Sequence, residues 1–199
     1  ADPSVSVKAY FALKLAGGRA SDPAMMKARR CILDIGGAES VNSFTRFYLA
    51  ALGQIPYGHC PSVPVEIILQ PNWSPFSIYR MSSWTRSIVV PLSIVQAHQP
   101  VTPIPGDMGI GELFHERPTA DRIPHVAQLQ GRLFRWENVF RLVDRALKRY
   151  ERWGSGWLRP RALRSAERWM IEHFEESGGV GAIFPPMVYT VLALRCLGY

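Results

Sequence analysis

The chain has 199 residues, of which 47% are hydrophobic and 11% aromatic, with a net charge of +7 and a sequence pI near 9.7. That composition excludes a disordered polymer and allows one large domain or two small ones with a sizeable core. The charge favours an anionic partner, either nucleic acid or an anionic membrane surface. Cys31, Cys60 and Cys196 are odd in number and far apart, which argues against a disulfide framework and suits a reducing cytoplasm. The opening ADPSVSVKAY has neither a basic start nor a long apolar run, so it does not read as a signal peptide. The longest apolar stretch, around Ile88 to Val95, is far below the roughly 20 residues of a spanning helix.

The elements read as helices. Residues 5–16 form the first, stopped by Gly17-Gly18. Asp22-Pro23 looks like an N-cap with proline at the first helical position, opening a helix to about Ile35 that Gly36-Gly37 ends. A third helix covers roughly 39–52 and stops at Gly53. A proline-rich stretch follows (Pro56, Pro61, Pro64, Pro71, Pro75). From Ser82 to His98 a buried helix is predicted, with Pro91 kinking it. Residues 99–131 read as a long irregular segment broken by Pro100, Pro103, Pro105, Pro118 and Pro124, of a length that is often functional. Leu133, Trp136, Phe140, Val143, Leu147 and Tyr150 then recur at steps of three and four, the apolar stripe of an amphipathic helix. Its other face carries Arg135, Arg141, Arg145, Lys148, Arg149 and Arg152. Helices from about Pro160 to Phe174 and from near Pro186 complete the chain. Residues 31–53 and 169–198 share a plan of helix, Gly-Gly turn and apolar helix ending in glycine. Repeated helix pairs of this kind point to an all-α fold, an α/α barrel or solenoid.

Chemical motifs are sparse. His59, His98, His115, His125 and His173 have no second ligand at helical spacing and read as surface or packing residues. GDMGIGELF and GGVGAIF lack the third glycine of a nucleotide loop, and Ser155 lacks the spacing of a nucleophile elbow. No two carboxylates stand at a spacing that compels an acid/base pair. Between Arg132 and Glu172 lie eleven Lys or Arg against five Asp or Glu, so six of the seven net positive charges sit there. This stretch reads as a solvated helix face, as a membrane-surface helix with Phe134, Trp136 and Phe140 opposite the arginines, or as a nucleic-acid-binding face with no recognition-module pattern. Trp84 reads as core, or as an aromatic wall facing a cation.

SVSVKAYFALKLAG, GGAESVNSFTRFYLAALGQIPYG, PVEIILQPNWSPFSIYRMSSWTRSIVVPLSIV and GGVGAIFPPMVYTVLALRCLGY resemble, in order, consecutive segments of the squalene–hopene cyclase family, the bacterial class II triterpene cyclases. FTRF, VPVEI, SWTR and GVGAIFPPM carry the resemblance, which runs from about Pro3 to the end. It implies an all-α fold, a partial α/α barrel (toroid) of helix pairs with long Pro-rich loops. Residues 1–18 would belong to or border the catalytic barrel, 19–175 to an inserted second α/α barrel domain, and 176–199 to the start of the return to the catalytic barrel. By resemblance the full-length enzyme cyclises squalene to hopene or hopanol with no redox cofactor and no metal. A D-x-D-D aspartate protonates a terminal double bond, and aromatic walls stabilise the resulting carbocations in a water-excluding cavity. That motif is missing among Asp2, Asp22, Asp34, Asp107, Asp121 and Asp144, so the chain looks like an internal piece from the amino-terminal half, truncated at Tyr199 and inactive alone.

Carried onto this sequence, Trp84, Ile183, Phe184, Pro185, Tyr189, Phe44 and Tyr48 match cavity positions, and Met81 and Val89 match the channel constriction. The best-known members have Gln, Arg and Glu where Phe184, Asn42 and Lys8 stand, polar groups that hold the terminating water; this bears on the hopene-to-hopanol ratio. The Trp and Gln of the family's repeated motif are also missing from the Gly-rich turn. The resemblance further implies a homodimer, monotopic on the cytoplasmic face of the bacterial inner membrane, with the anionic membrane surface and squalene as partners and no nucleic acid. The other reading is a non-catalytic α/α binding module whose aromatics are core and whose basic helix meets a membrane surface or nucleic acid.

Overall fold

Seven helices and a series of single 3₁₀ turns carry the described residues of the computed structural model, which are 2–74, 77–119, 136–153, 156–177 and 183–199. No strand occurs among them, and the all-α expectation holds. The contacts group the chain into two compact units, residues 1–61 with 101–130, and residues 62–100 with 131–199.

In the first unit, Pro3–Leu15 (α1) begins where the Asp2 carboxylate accepts the Val5 N–H at 2.9 Å, the capping that satisfies one orphan donor of a helix start. Ser4, Val7, Tyr10, Phe11 and Lys14 form its buried stripe, and α1 packs on Pro23–Asp34 (α2). Asp22 stands at the N-cap of α2 as expected, but its carboxylate accepts from Arg19 N–H, so the cap is made by proline geometry alone. The helix expected over 39–52 is shorter. Ala38–Ser40 is a 3₁₀ turn, and Ser43–Ala51 (α3) starts only after Asn42, whose side chain accepts from Thr45 N–H at 2.9 Å. A good N-cap residue inside a helical pattern moved the start by four residues. Gly37, at φ +68°, lets the chain turn there; a Cβ would also strike the Glu39 carboxylate and the Leu113 carbonyl.

Residues 101–119 are irregular in backbone, as expected, yet firmly bonded. Ile110 and Leu113 are fully buried. Ile110 N–H donates to Gln54 Oε1 at 2.9 Å, and the His115 and Glu116 N–H groups donate to Glu39 Oε1 at 2.7 and 3.1 Å. Below them Lys14 Nζ donates to the Gly109 carbonyl and, at 2.7 Å, to Glu112 Oε1, which also accepts from Tyr10 Oη at 2.9 Å. Arg29 Nε donates to the Glu112 carbonyl at 3.1 Å. A proline-broken loop thus acquires its order from side chains that reach it from α1 and α2.

In the second unit, Ser83–His98 (α4) is central, packing on Leu158–Ser177 (α6), on Phe184–Leu197 (α7) and on the 3₁₀ turn Val65–Leu69. Every residue from Val90 to Gln96 is buried, and Pro91 lies inside the helix as expected, removing one backbone donor. Burying a side chain such as Ile94 contributes about 2 kcal/mol. Ala162 and Ala166, both fully buried, let α6 approach closely. Trp136–Trp153 (α5) carries the basic stretch. Of its expected stripe, Leu147 and Tyr150 are half-buried, while Val143 is exposed beside Leu142. Leu133 lies outside the described residues, as do the side chains of Trp136 and Phe140, the Gly-Gly turn of the second repeat and residues 120–131. Asp144 accepts from Ser62 N–H at 2.8 Å and pairs with Lys148 at 2.8 Å. No described helix is long and apolar enough to cross a membrane.

Candidate functional site

The residues of interest fall on three helix starts. In the second unit, Ser77 Oγ accepts from Tyr79 N–H at 3.3 Å and so sets the turn Ile78–Arg80, with Ile78 fully buried as its anchor. Arg86 Nη1 reaches back from α4 to the Tyr79 carbonyl at 3.4 Å. Met81, extended and half-buried, joins that turn to α4. Ser82 then caps α4 by accepting from Thr85 N–H at 3.2 Å. These bonds fix the first turn that carries Trp84, which is 53% exposed. Val89, one turn and a half further on, is half-buried.

Helix α7 begins differently. Ile183 is extended and offers no capping oxygen; Pro185 and Pro186 occupy positions where a helix has no partner for an N–H. Pro186, Tyr189, Thr190 and Ala193 are buried, a stripe at i, i+3, i+4 and i+7. Phe184, Met187 and Val191 lie on the opposite side and are 67%, 51% and 66% exposed. Ile183 and Pro185 are half-buried. The helix is therefore apolar on two sides, with one side buried in the unit.

Of the expected residues, seven (Met81, Trp84, Val89, Ile183, Phe184, Pro185 and Tyr189) lie on α4 and α7, two helices that pack together, or on the turns leading into them. Tyr189 stands apart in environment, being fully buried while Trp84 and Phe184 are open. Five residues separate Phe184 from Tyr189, which sets them about 140° apart around the helix. Phe44 and Tyr48 belong to the first unit, on α3 at i and i+4, so they share a face of that helix; Phe44 is exposed and Tyr48 half-buried.

The three positions that differ from the best-known family members are also placed. Lys8 is exposed on α1. Asn42 is occupied twice, its side chain capping α3 and its N–H donating to Ser4 Oγ at 2.9 Å. Phe184 presents a hydrocarbon ring with no hydrogen-bonding group.

Electrostatically the aromatic positions are plain, and the charged chemistry lies elsewhere. Among the described residues no group of three His, Cys, Asp or Glu could hold a metal ion. In the first unit, burial pushes the Glu112 carboxyl up, but hydrogen bonds from Lys14, its own N–H and Tyr10, with the Lys14 charge, outweigh burial and hold it below the usual range. Burial and the bond to Glu112 push the Tyr10 hydroxyl up to about 12. Sequence reading missed this cluster because Lys14 and Glu112 are 98 residues apart.

A second, partly buried polar cluster that sequence spacing does not signal lies in the second unit. Arg159 Nε donates to Glu66 Oε1 at 3.3 Å and Arg159 Nη2 to the Glu151 carbonyl at 3.4 Å. Gln96 Nε2 donates to Glu151 Oε2 at 3.3 Å.

What the aromatic arrangement can do is offer open π faces and aliphatic surface at the starts of two packed helices. The family described as "Squalene-hopene cyclase N-terminal domain" matches residues 1–199. The squalene–hopene cyclase of Bradyrhizobium diazoefficiens is 40% identical over 197 residues, covering 99% of this chain and 30% of the relative. That of Zymomonas mobilis is 35% identical over 198 residues, covering 100% and 29%. The dammaradiene synthase of Dryopteris crassirhizoma is 34% identical over 197 residues, covering 98% and 28%. The chain spans less than a third of the length of each of these relatives. With its order of segments, its helices and its whole length matched, the chain belongs to the squalene–hopene cyclase family, in the part that forms the amino-terminal domain.

Proposed function

We propose that this chain supplies part of the wall and channel of a cavity in which a class II triterpene cyclase folds squalene and cyclises it to hopene or hopanol. The full-length protein would be an intramolecular transferase or isomerase, and the initiating acid would come from outside these 199 residues, whose aspartates are unclustered. The observation that carries the reading is Trp84. A large ring is capped into a fixed first turn and left half open, on a helix packed against α7, which starts with open Phe184. A π face stabilises a passing carbocation without adding to it, which water or a carboxylate would do.

Substituting Trp84→Ala in the full-length cyclase is expected to lower turnover about 10- to 30-fold, as a desolvated cation–π contact of ~1.5–2 kcal/mol implies, and to release partly cyclised products. Unchanged rate and products, measured by gas chromatography of a squalene incubation, would remove Trp84 from the cavity.

The basic stretch supports a peripheral, monotopic position on an anionic membrane. Exposed Leu142 and Val143 sit on α5 beside exposed Arg145 and Arg149. Reversing both arginines to Glu is expected to weaken binding to phosphatidylserine vesicles tenfold or more, at about 1 kcal/mol per charge. An unchanged sedimentation isotherm would reject that placement.

A further inference from the structure

Ile78 and Ile88 are 0% and 4% exposed, and none of residues 79–87 between them is buried. Core packing therefore holds the two ends of this stretch and not its middle, which carries Met81 and Trp84, the expected channel and cavity positions. Hydrogen bonds have to set the path. Met81 N–H donates to the Ile78 carbonyl at 3.0 Å and ties the stretch to its first anchor. The Ser82 hydroxyl that caps α4 also meets Thr85 Oγ1 at 2.8 Å, and Ser87 Oγ donates to the Ser83 carbonyl at 3.0 Å. All of these act within four residues, so they shape the turn and the helix start separately.

Arg86 spans the joint. Its Nη1 donates from α4 to the Tyr79 carbonyl at 3.4 Å, across seven positions, and closes a loop that contains both Met81 and Trp84. A guanidinium brings charge to that bond. Trp84 and Arg86 are two residues apart and stand about 160° apart around the helix. The positive charge thus lies across α4 from the ring, away from any cation the ring faces. Resting on the cavity reading above, we infer that Arg86 is a positioning residue for the cyclisation. By holding the first turn of α4 to the Ile78–Arg80 turn, it sets Met81 and Trp84 at one fixed spacing. That spacing decides how long the hydrocarbon stays folded before its cation is lost. Arg86 does this through the main chain, without touching substrate.

The test is the product pattern of the full-length cyclase with squalene, read as the share of partly cyclised products at equal conversion. That share does not depend on how much of the enzyme is folded, so a change that only destabilises leaves it alone. Arg86→Met is expected to raise the share about threefold to tenfold, as the loss of one intramolecular hydrogen bond implies. Arg86→Lys keeps a charged donor and is expected to bring most of the original pattern back. Trp84→Ala in the same assay separates this inference from the reading beneath it. If Trp84→Ala raises the share and Arg86→Met does not, Arg86 has no positioning role while the cavity wall stands. If Trp84→Ala leaves the products unchanged, the cavity reading falls and this inference falls with it. A share as high with Lys as with Met also overturns it, since the bond to Tyr79 is then not the cause. Should Arg86→Met yield no folded protein, Arg86→Gln, whose amide is too short to reach the Tyr79 carbonyl, takes its place with the same deciding outcomes.

Discussion

The two units solve one problem in opposite ways. Each buries a charged pair that ties a proline-rich segment to a helix. In the first, Lys14 and Glu112 are joined by Tyr10, the Gly109 carbonyl and Arg29, which together serve the Lys14 amine, Glu112 Oε1 and the Glu112 carbonyl. In the second, Arg159 and Glu66 are joined by Gln96 and Glu151, and three acceptors have no donor among the described residues. A closed network is a clasp. An open one of the same size leaves acceptors unanswered, and hydrogen-bond inventory rather than charge tells them apart.

The comparison breaks first at Lys14. Lys14→Met should strand the Glu112 carboxylate and release residues 106–113, costing about 2–3 kcal/mol in urea unfolding; Glu112 keeps some exposure, so the full penalty of a buried unpaired charge does not apply. The double variant Lys14→Met/Glu112→Leu should recover part of that loss, and no recovery would mean the pair's charge is not the reason for its burial.

Acid and alkali sharpen it. Glu112 is held below its ordinary value, so its contribution is present above the unfolded carboxylate pKa of about 4.3 and disappears as pH falls through the folded value. Tyr10 is raised to about 12, so its contribution is complete below the unfolded value of 10.0 and is lost as pH climbs from there through about 12. Tyr10→Phe should abolish the alkaline loss and shrink the acid one, because Tyr10 is one of the donors that hold Glu112 down, read as Tm against pH.

The smallest expected effect concerns two helix ends. α3 is followed by Gly53 at φ +69°, but α4 ends on Gln99 at φ +49°, in left-handed backbone where a side chain is strained. Gln99→Gly should therefore stabilise by about 0.5–1 kcal/mol in urea titration, whereas Gly53→Ala should destabilise by about 1 kcal/mol.

Much of the helix layout was legible, for local reasons. Gly17-Gly18, Gly36-Gly37 and Gly53 stop helices, and Pro23 and Pro185-Pro186 start them, through backbone restrictions that need no partner. Asn42 misled the reading of α3 because a cap and a helix interior look alike until the bond to Thr45 is seen. The order in residues 101–119 was not legible, since it depends on Lys14, Gln54 and Glu39, which are distant in sequence. The aromatic candidates came from family pattern and not from spacing. Periodicity could have shown that Phe184 and Tyr189 face different ways, but which of them is open follows only from packing against α4.

The paired prolines that open α7 have one more effect. Proline disfavours helical geometry in the residue before it, so α7 cannot grow backwards past Phe184, and each ring holds its own φ near −65°. The station of Phe184 is set in large part by main-chain stiffness, the residue itself being 67% exposed. Its ring can therefore be exchanged for other shapes without disturbing the scaffold, which makes this position one where a lineage can retune what it makes without relearning how to fold.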